Sequence, residues 1–135
     1  MTPAGITEAV VEHAALDYLR SLGYQTLPGP VIAEDGSAPE RSSYEQVVLP
    51  GRLRDAAARI NPDLAAPVID DAIRTLLRPE SQNTLAENER FHRLLVDGVP
   101  VEHRGADGSI RTSLVWLIAW DDPAANDWMA VNRFT

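Results

Sequence analysis

Apolar residues recur at helical spacing between Thr7 and Gly23, and the pattern predicts a helix over residues 8–22. Thr7 is suited to cap its start, and Gly23 supplies the residue that leaves the helix in a left-handed conformation. Ile6 and Val11 have the spacing of a hydrophobic staple. At 100° per residue, Val11, Ala15, Tyr18, Leu19 and Leu22 share one side, and His13, Asp17, Arg20 and Ser21 the other. Tyr24 to Leu27 then reads as a short strand stopped by Pro28-Gly29-Pro30. Residues 33–43, rich in Glu, Asp, Gly, Ser and Pro, read as an exposed loop, and Tyr44 to Leu49 fits a strand and a helix equally.

Arg52 to Ile60 is Ala-rich and favours helix, ending near Asn61-Pro62 because the residue before proline is pushed out of the helical region. A further helix runs from about Pro67 to Leu77, with Val68, Ile69, Ala72, Ile73, Leu76 and Leu77 as its buried stripe. Leu85 to Val96 predicts another, stopped by Asp97-Gly98. Val99 to Arg104 and Ile110 to Trp120 are the clearest strands, joined through Gly105-Ala106-Asp107-Gly108 as a hairpin. Leu114 to Trp120 is almost continuously apolar, which predicts cover on both faces and hence an α/β fold with helices packed on a mixed sheet. After the break at Asp121-Asp122-Pro123, the stretch Asn126 to Thr135 reads as a strand with nothing after it to pair or cap it. The expectation is a chain truncated within a sheet, whose open edge favours self-association.

A length of 135 residues is enough for one core, so a single N-terminal domain over 1–135 is expected. The net charge of −8 is the wrong sign for a domain that grips nucleic acid by neutralising phosphates. Arg52, Arg54 and Arg59 form the densest basic cluster, interrupted by Asp55 and equally well explained as a solvated helix face. With no cysteine, disulfides and thiolate metal sites are excluded. Met1 to Gly5 has neither the basic start nor the apolar run of a secretory signal, and no stretch approaches the ~20 apolar residues of a membrane span. A cytoplasmic location is expected.

The chemistry-bearing residues are sparse. Glu12 lies on the apolar side of the first helix, with Ala15, Leu16 and Leu19 at i+3, i+4 and i+7. A carboxylate there must reach solvent, find a partner, raise its pKa or bind a cation, since burial without compensation is costly. Glu8 needs no such account, because a first-turn carboxylate is favoured by the helix dipole. His13, His92 and His103 sit on different elements without ligand spacing. Asp70-Asp71, Asp121-Asp122 and Asp127 read as solvated or turn residues. Trp116, Trp120 and Trp128 read as core rather than as base-stacking platforms. No phosphate-binding glycine loop, Gly-x-Ser-x-Gly or His-Glu-x-x-His is present.

Several blocks, in order, resemble the N-terminal region of the R (restriction) subunit of type I restriction endonucleases. They are Thr7 to Glu12 with Leu16, Leu19 and Leu22-Gly23-Tyr24; Tyr44 to Leu49 with Gly51-Arg52-Leu53 and Ile60-Asn61-Pro62; Phe91-His92 with Leu94-Leu95 and Gly98-Val99; and Asn126-Asp127 with Val131-Asn132 and Phe134-Thr135. Arg133 stands where the resemblance leads one to expect glutamine. The resemblance implies an incomplete nuclease domain of the PD-(D/E)xK type, in which carboxylates hold Mg²⁺ to activate water and stabilise charge on the scissile phosphate. Glu12 matches the early-helix glutamate and is the implied catalytic residue and Mg²⁺ ligand; the Asp and Glu-x-Lys of the pattern are absent. It further implies DNA as substrate, an ATP-driven motor elsewhere in the parent protein, and partnership with specificity and methyltransferase subunits, the fragment itself being inactive. A non-enzymatic docking or regulatory domain is the alternative, motivated by the acidity and the incomplete site. An acidic DNA mimic is a remote third reading.

Overall fold

A computed structural model describes residues 5–135, so the reading of Met1 to Ala4 lies outside the described residues. The protein is a mixed α/β chain with small sheets, and it forms two compact units. The first takes the segment ending at Leu49 together with Asp127–Thr135; the second is Pro50–Asn126.

In the first unit, α1 (Glu8–Ser21) begins where the Thr7 hydroxyl accepts the Val10 N–H at 3.3 Å and ends before Gly23, whose φ of 98° is the left-handed exit read from sequence. Its orientation differs from the predicted wheel. Val11, Tyr18 and Leu22 are exposed, and the half-buried positions are Glu12, Leu16 and Leu19, spaced i, i+4, i+7. Val10, Val11, Leu16, Leu19 and Leu22 are spread around the helix, so composition alone does not choose the inward face. The partners of Glu12 at the far end of the sequence mark it.

Strand β1 (Gln25–Pro28) pairs in parallel with the terminal strand, Met129–Asn132, in the register Gln25 to Met129 through Pro28 to Asn132. The expectation of an unpaired closing strand is thereby corrected. Pairing was not visible locally because the partner lies at the other end of the sequence. Gly29 follows β1 and opens a one-turn helix, α2 (Gly29–Ile32), where sequence reading placed only a stop. A Cβ on Gly29 would stand 2.2 Å from the Arg133 carbonyl oxygen, so only glycine admits that approach. The loop after α2 folds back on it, with the Ala38 N–H donating to the Val31 carbonyl and those of Glu40 and Arg41 to the Ile32 carbonyl.

The second unit has a conventional core. Helices α3 (Pro50–Ile60) and α4 (Ala66–Leu77) pack together, and α4 lies on the antiparallel hairpin of β2 (Val99–Arg104) and β3 (Ile110–Val115). Ala57, Val68, Ile69, Ala72, Ile73, Leu76, Val99, Val101, Val115 and Leu117 are buried together, with Phe91, Leu94 and Leu95 of α5 (Thr84–Asp97) against them. The predicted stripe of α4 is observed except at Leu77, which is exposed. Gly98 (φ 82°) ends α5, and Gly108 (φ 80°) turns the hairpin.

The long strand expected to Trp120 stops at Val115. Along the run Val115 and Leu117 are buried, whereas Leu114, Trp116 and Trp120 are substantially exposed, so it is not covered on both faces. What replaces the ladder is side-chain chemistry. The Asn61 amide accepts the Trp116 N–H at 2.9 Å and donates to the Trp116 carbonyl at 2.7 Å and to that of Ala57 at 2.8 Å. The Asn126 amide does the same to Ala119, at 2.7 and 3.0 Å. Each asparagine thus clasps both main-chain groups of one residue, as a neighbouring strand would. The chain then makes a single 3₁₀ turn at Pro123–Ala125 and continues into the terminal strand, β4 (Met129–Asn132).

Candidate functional site

Glu12 sits on the second turn of α1, where its inward position aims the carboxylate at the end of β4. Its Oε1 accepts from Asn132 Nδ2 at 2.5 Å and from Arg133 Nε at 3.3 Å. The side chain is 23% exposed, against 65% for Arg133. The Asn132 hydrogen bond, opposed by partial burial and assisted by the positive charge and hydrogen bond of Arg133, holds the Glu12 carboxyl below its usual range. Of the four fates open to Glu12 from sequence, it takes a partner, and it is ionised at neutral pH.

The position of those partners depends on a residue that sequence reading missed. Arg41, only 3% exposed, lies in the segment read as an open loop. Its guanidinium donates to the carbonyls of Gln46 at 2.7 Å, Thr135 at 2.6 Å and Tyr44, and lies over the Phe134 ring at 4.0 Å. One buried cation therefore binds the loop at 44–46 to the two residues following Arg133. Arg133 is the one non-glycine residue with positive φ (52°) among the described residues, and it is held between β4 and this anchored end. The Tyr44 hydroxyl donates to Asp35 at 2.7 Å, and that bond, with burial and the Asp35 charge, raises its pKa. Arg41 had no periodic signal; only the aromatic Phe134 hinted at a partner.

The remaining candidates are not gathered here. His103 shares a 2.7 Å hydrogen bond with Ser113 across the β2–β3 hairpin. Arg54 makes a two-point contact with Asp70 at 2.7 and 3.1 Å, Arg59 donates twice to the Ala125 carbonyl, and Asp71 pairs with Arg74. The basic cluster is thus partly spent within its own unit. Trp116, Trp120 and Trp128 are 36%, 54% and 42% exposed, so the core assignment is corrected: the three tryptophans lie at the surface.

A divalent cation needs several oxygen donors gathered at one point. Among the described residues no three His, Cys, Asp or Glu side chains converge, and beside Glu12 the nearest charge is the guanidinium of Arg133. An Mg²⁺ ion takes six oxygen ligands in near-octahedral geometry, with one or two carboxylates and the rest from waters and substrate phosphates. These residues do not by themselves fit one. Among the described residues no helix is long and apolar enough to cross a membrane.

The first unit is therefore a small α/β arrangement in which a helix carboxylate meets the polar end of a parallel strand. Residues 5–135 match the family model described as the type I restriction enzyme R protein N terminus, and the chain belongs to that family. It is similar to the type I restriction enzyme HindI endonuclease subunit of Haemophilus influenzae, with 27% identity over 128 residues, or 95% of this chain. The chain spans 12% of the length of that relative. No solved structure matches it.

Proposed function

We propose that this N-terminal region serves DNA cleavage in an ATP-dependent R subunit, with Glu12 as the carboxylate it contributes to phosphodiester hydrolysis. The observation that carries the reading is the ionised Glu12, drawn inward on α1 and held by Asn132 and Arg133. An inward carboxylate anchored by a strand end is preorganised for a role in which position matters, and a merely solvated glutamate needs no such support. The reaction class is Mg²⁺-dependent hydrolysis on a PD-(D/E)xK-type core. Mg²⁺ would supply charge neutralisation and water activation there, and Glu12 is the one carboxylate of that core that this proposal places among the described residues. DNA, the specificity and methyltransferase subunits, an ATP-driven motor and a cytoplasmic setting belong to the same proposal for the parent protein.

The test is Glu12→Gln in the full-length subunit, assembled with its partner subunits. Cleavage of unmodified DNA should fall by at least about 100-fold while ATP hydrolysis stays within about twofold of wild type, since only the hydrolytic site loses a charge. Unchanged cleavage overturns the role of Glu12. Isolated residues 1–135 are expected to be inactive on DNA with or without Mg²⁺.

A further inference from the structure

The second unit has a hollow of about 480 Å³ whose lining includes Val96, Trp116, Ile118, Trp120, Asp121 and Asp122. Three features make it a formed surface. The Asn61 and Asn126 amides fix the main chain of Trp116 and Ala119, and the Trp120 indole N–H donates to the Leu95 carbonyl at 3.2 Å, which sets the ring plane. Trp120 nevertheless keeps 54% of its surface in solvent, and Val96 keeps 42%. Exposed aromatic surface that is held rigid loses little conformational entropy on contact, which is the physical signature of a recognition surface.

The chemistry of the lining selects the occupant. Apolar and aromatic walls receive a hydrocarbon stem, and the two acidic residues of the lining, Asp121 and Asp122, supply negative charge for a positive head. Neither Asp121 nor Asp122 has a side-chain ion pair among the described residues, in a chain of net charge −8. An arginine or lysine has both parts. We propose that this hollow docks a basic segment of a partner protein, with an arginine or lysine stem along Trp116 and Trp120 and its charged head at Asp121 and Asp122. The hollow belongs to the second unit and Glu12 to the first, and the proposal does not rest on the cleavage reading.

The probe is a hexapeptide of alternating leucine and arginine, titrated into the whole chain by calorimetry and by tryptophan emission, with its leucine–glutamate counterpart as control. Saturable binding of the basic peptide alone is expected, weakening as salt is raised. The double variant Asp121→Asn, Asp122→Asn should weaken it about threefold to tenfold, as expected for two partly exposed ion pairs. Trp120→Ala should weaken it at least as much, with circular dichroism confirming the fold. A control pair with the same change in charge, Glu34→Gln and Glu45→Gln, should leave affinity within about twofold. Equal losses in both double variants mean bulk charge attraction and overturn the proposal, as does equal binding of the acidic peptide. Concentration-dependent dimerisation abolished by Trp120→Ala, without peptide binding, makes a second copy of the chain the occupant and likewise overturns it.

Discussion

Arg41 is a buried cation answered by carbonyl oxygens and an aromatic face, and its geometry makes it irreplaceable by lysine. A guanidinium offers five donors in one plane, which lets it reach Tyr44, Gln46 and Thr135 while its face rests on Phe134; an ammonium cannot do both. Arg41→Lys should therefore lower stability by about 2–4 kcal/mol, seen as a reduced urea midpoint, because buried carbonyls lose charged partners; an unshifted midpoint would show the cage to be energetically idle. At Glu12 the sign of the pH effect follows from the depressed carboxyl. Its contribution is present above the ordinary carboxylate range and is lost as pH falls through the lowered folded value. An NMR titration should find Glu12 below its usual pKa, and Asn132→Ala should move it upward. Sequence periodicity singled out Glu12 as an anomaly but not its answer, because Asn132 lies 120 positions away. Arg41 was invisible for a related reason: its partners are main-chain atoms, which leave no compositional trace.

Among the elements, those fixed by local chemistry were legible and those fixed by distant side chains were not. The Thr7 cap, the Gly23 and Gly98 exits and the stripe of α4 are short-range features, and each is observed apart from Leu77 in the stripe. The segment from Leu114 to Trp120 is the counterexample. Its apolar run fits a strand, yet hydrogen bonding beyond Val115 is decided by Asn61, 55 positions earlier. Asn61→Ala leaves the part-buried Trp116 amide and carbonyl without their partners, and a loss of about 1–3 kcal/mol in chemical denaturation is expected. Asn61→Asp should be worse near neutral pH, since an oxygen would face the carbonyls of Ala57 and Trp116 in place of the donating nitrogen. Equal stability of the two variants would mean that water replaces the clasp. On α4, Ile69→Ala should cost about 2–5 kcal/mol, whereas Leu77→Ala, at an exposed position, should cost far less.

At the scale of the molecule, the second unit is one continuous stretch of chain, and the first is assembled from segments on either side of it. The β1–β4 pairing and the Arg41 contact with Thr135, 94 positions apart, are nonlocal, whereas the β2–β3 hairpin closes over a few residues. Loop-closure entropy makes the local contacts quicker to form. Pulse-labelled hydrogen exchange during refolding should protect β2 and β3 amides before those of β1 and β4; the reverse order would show that the long-range pairing nucleates the fold. The same arrangement has a consequence during synthesis. A chain emerging from the ribosome can finish its second unit once Asn126 is clear, while β1, made far earlier, waits with unmet main-chain groups until β4 arrives. Over that interval the earlier-made β1 segment is the part most in need of protection from wrong pairing.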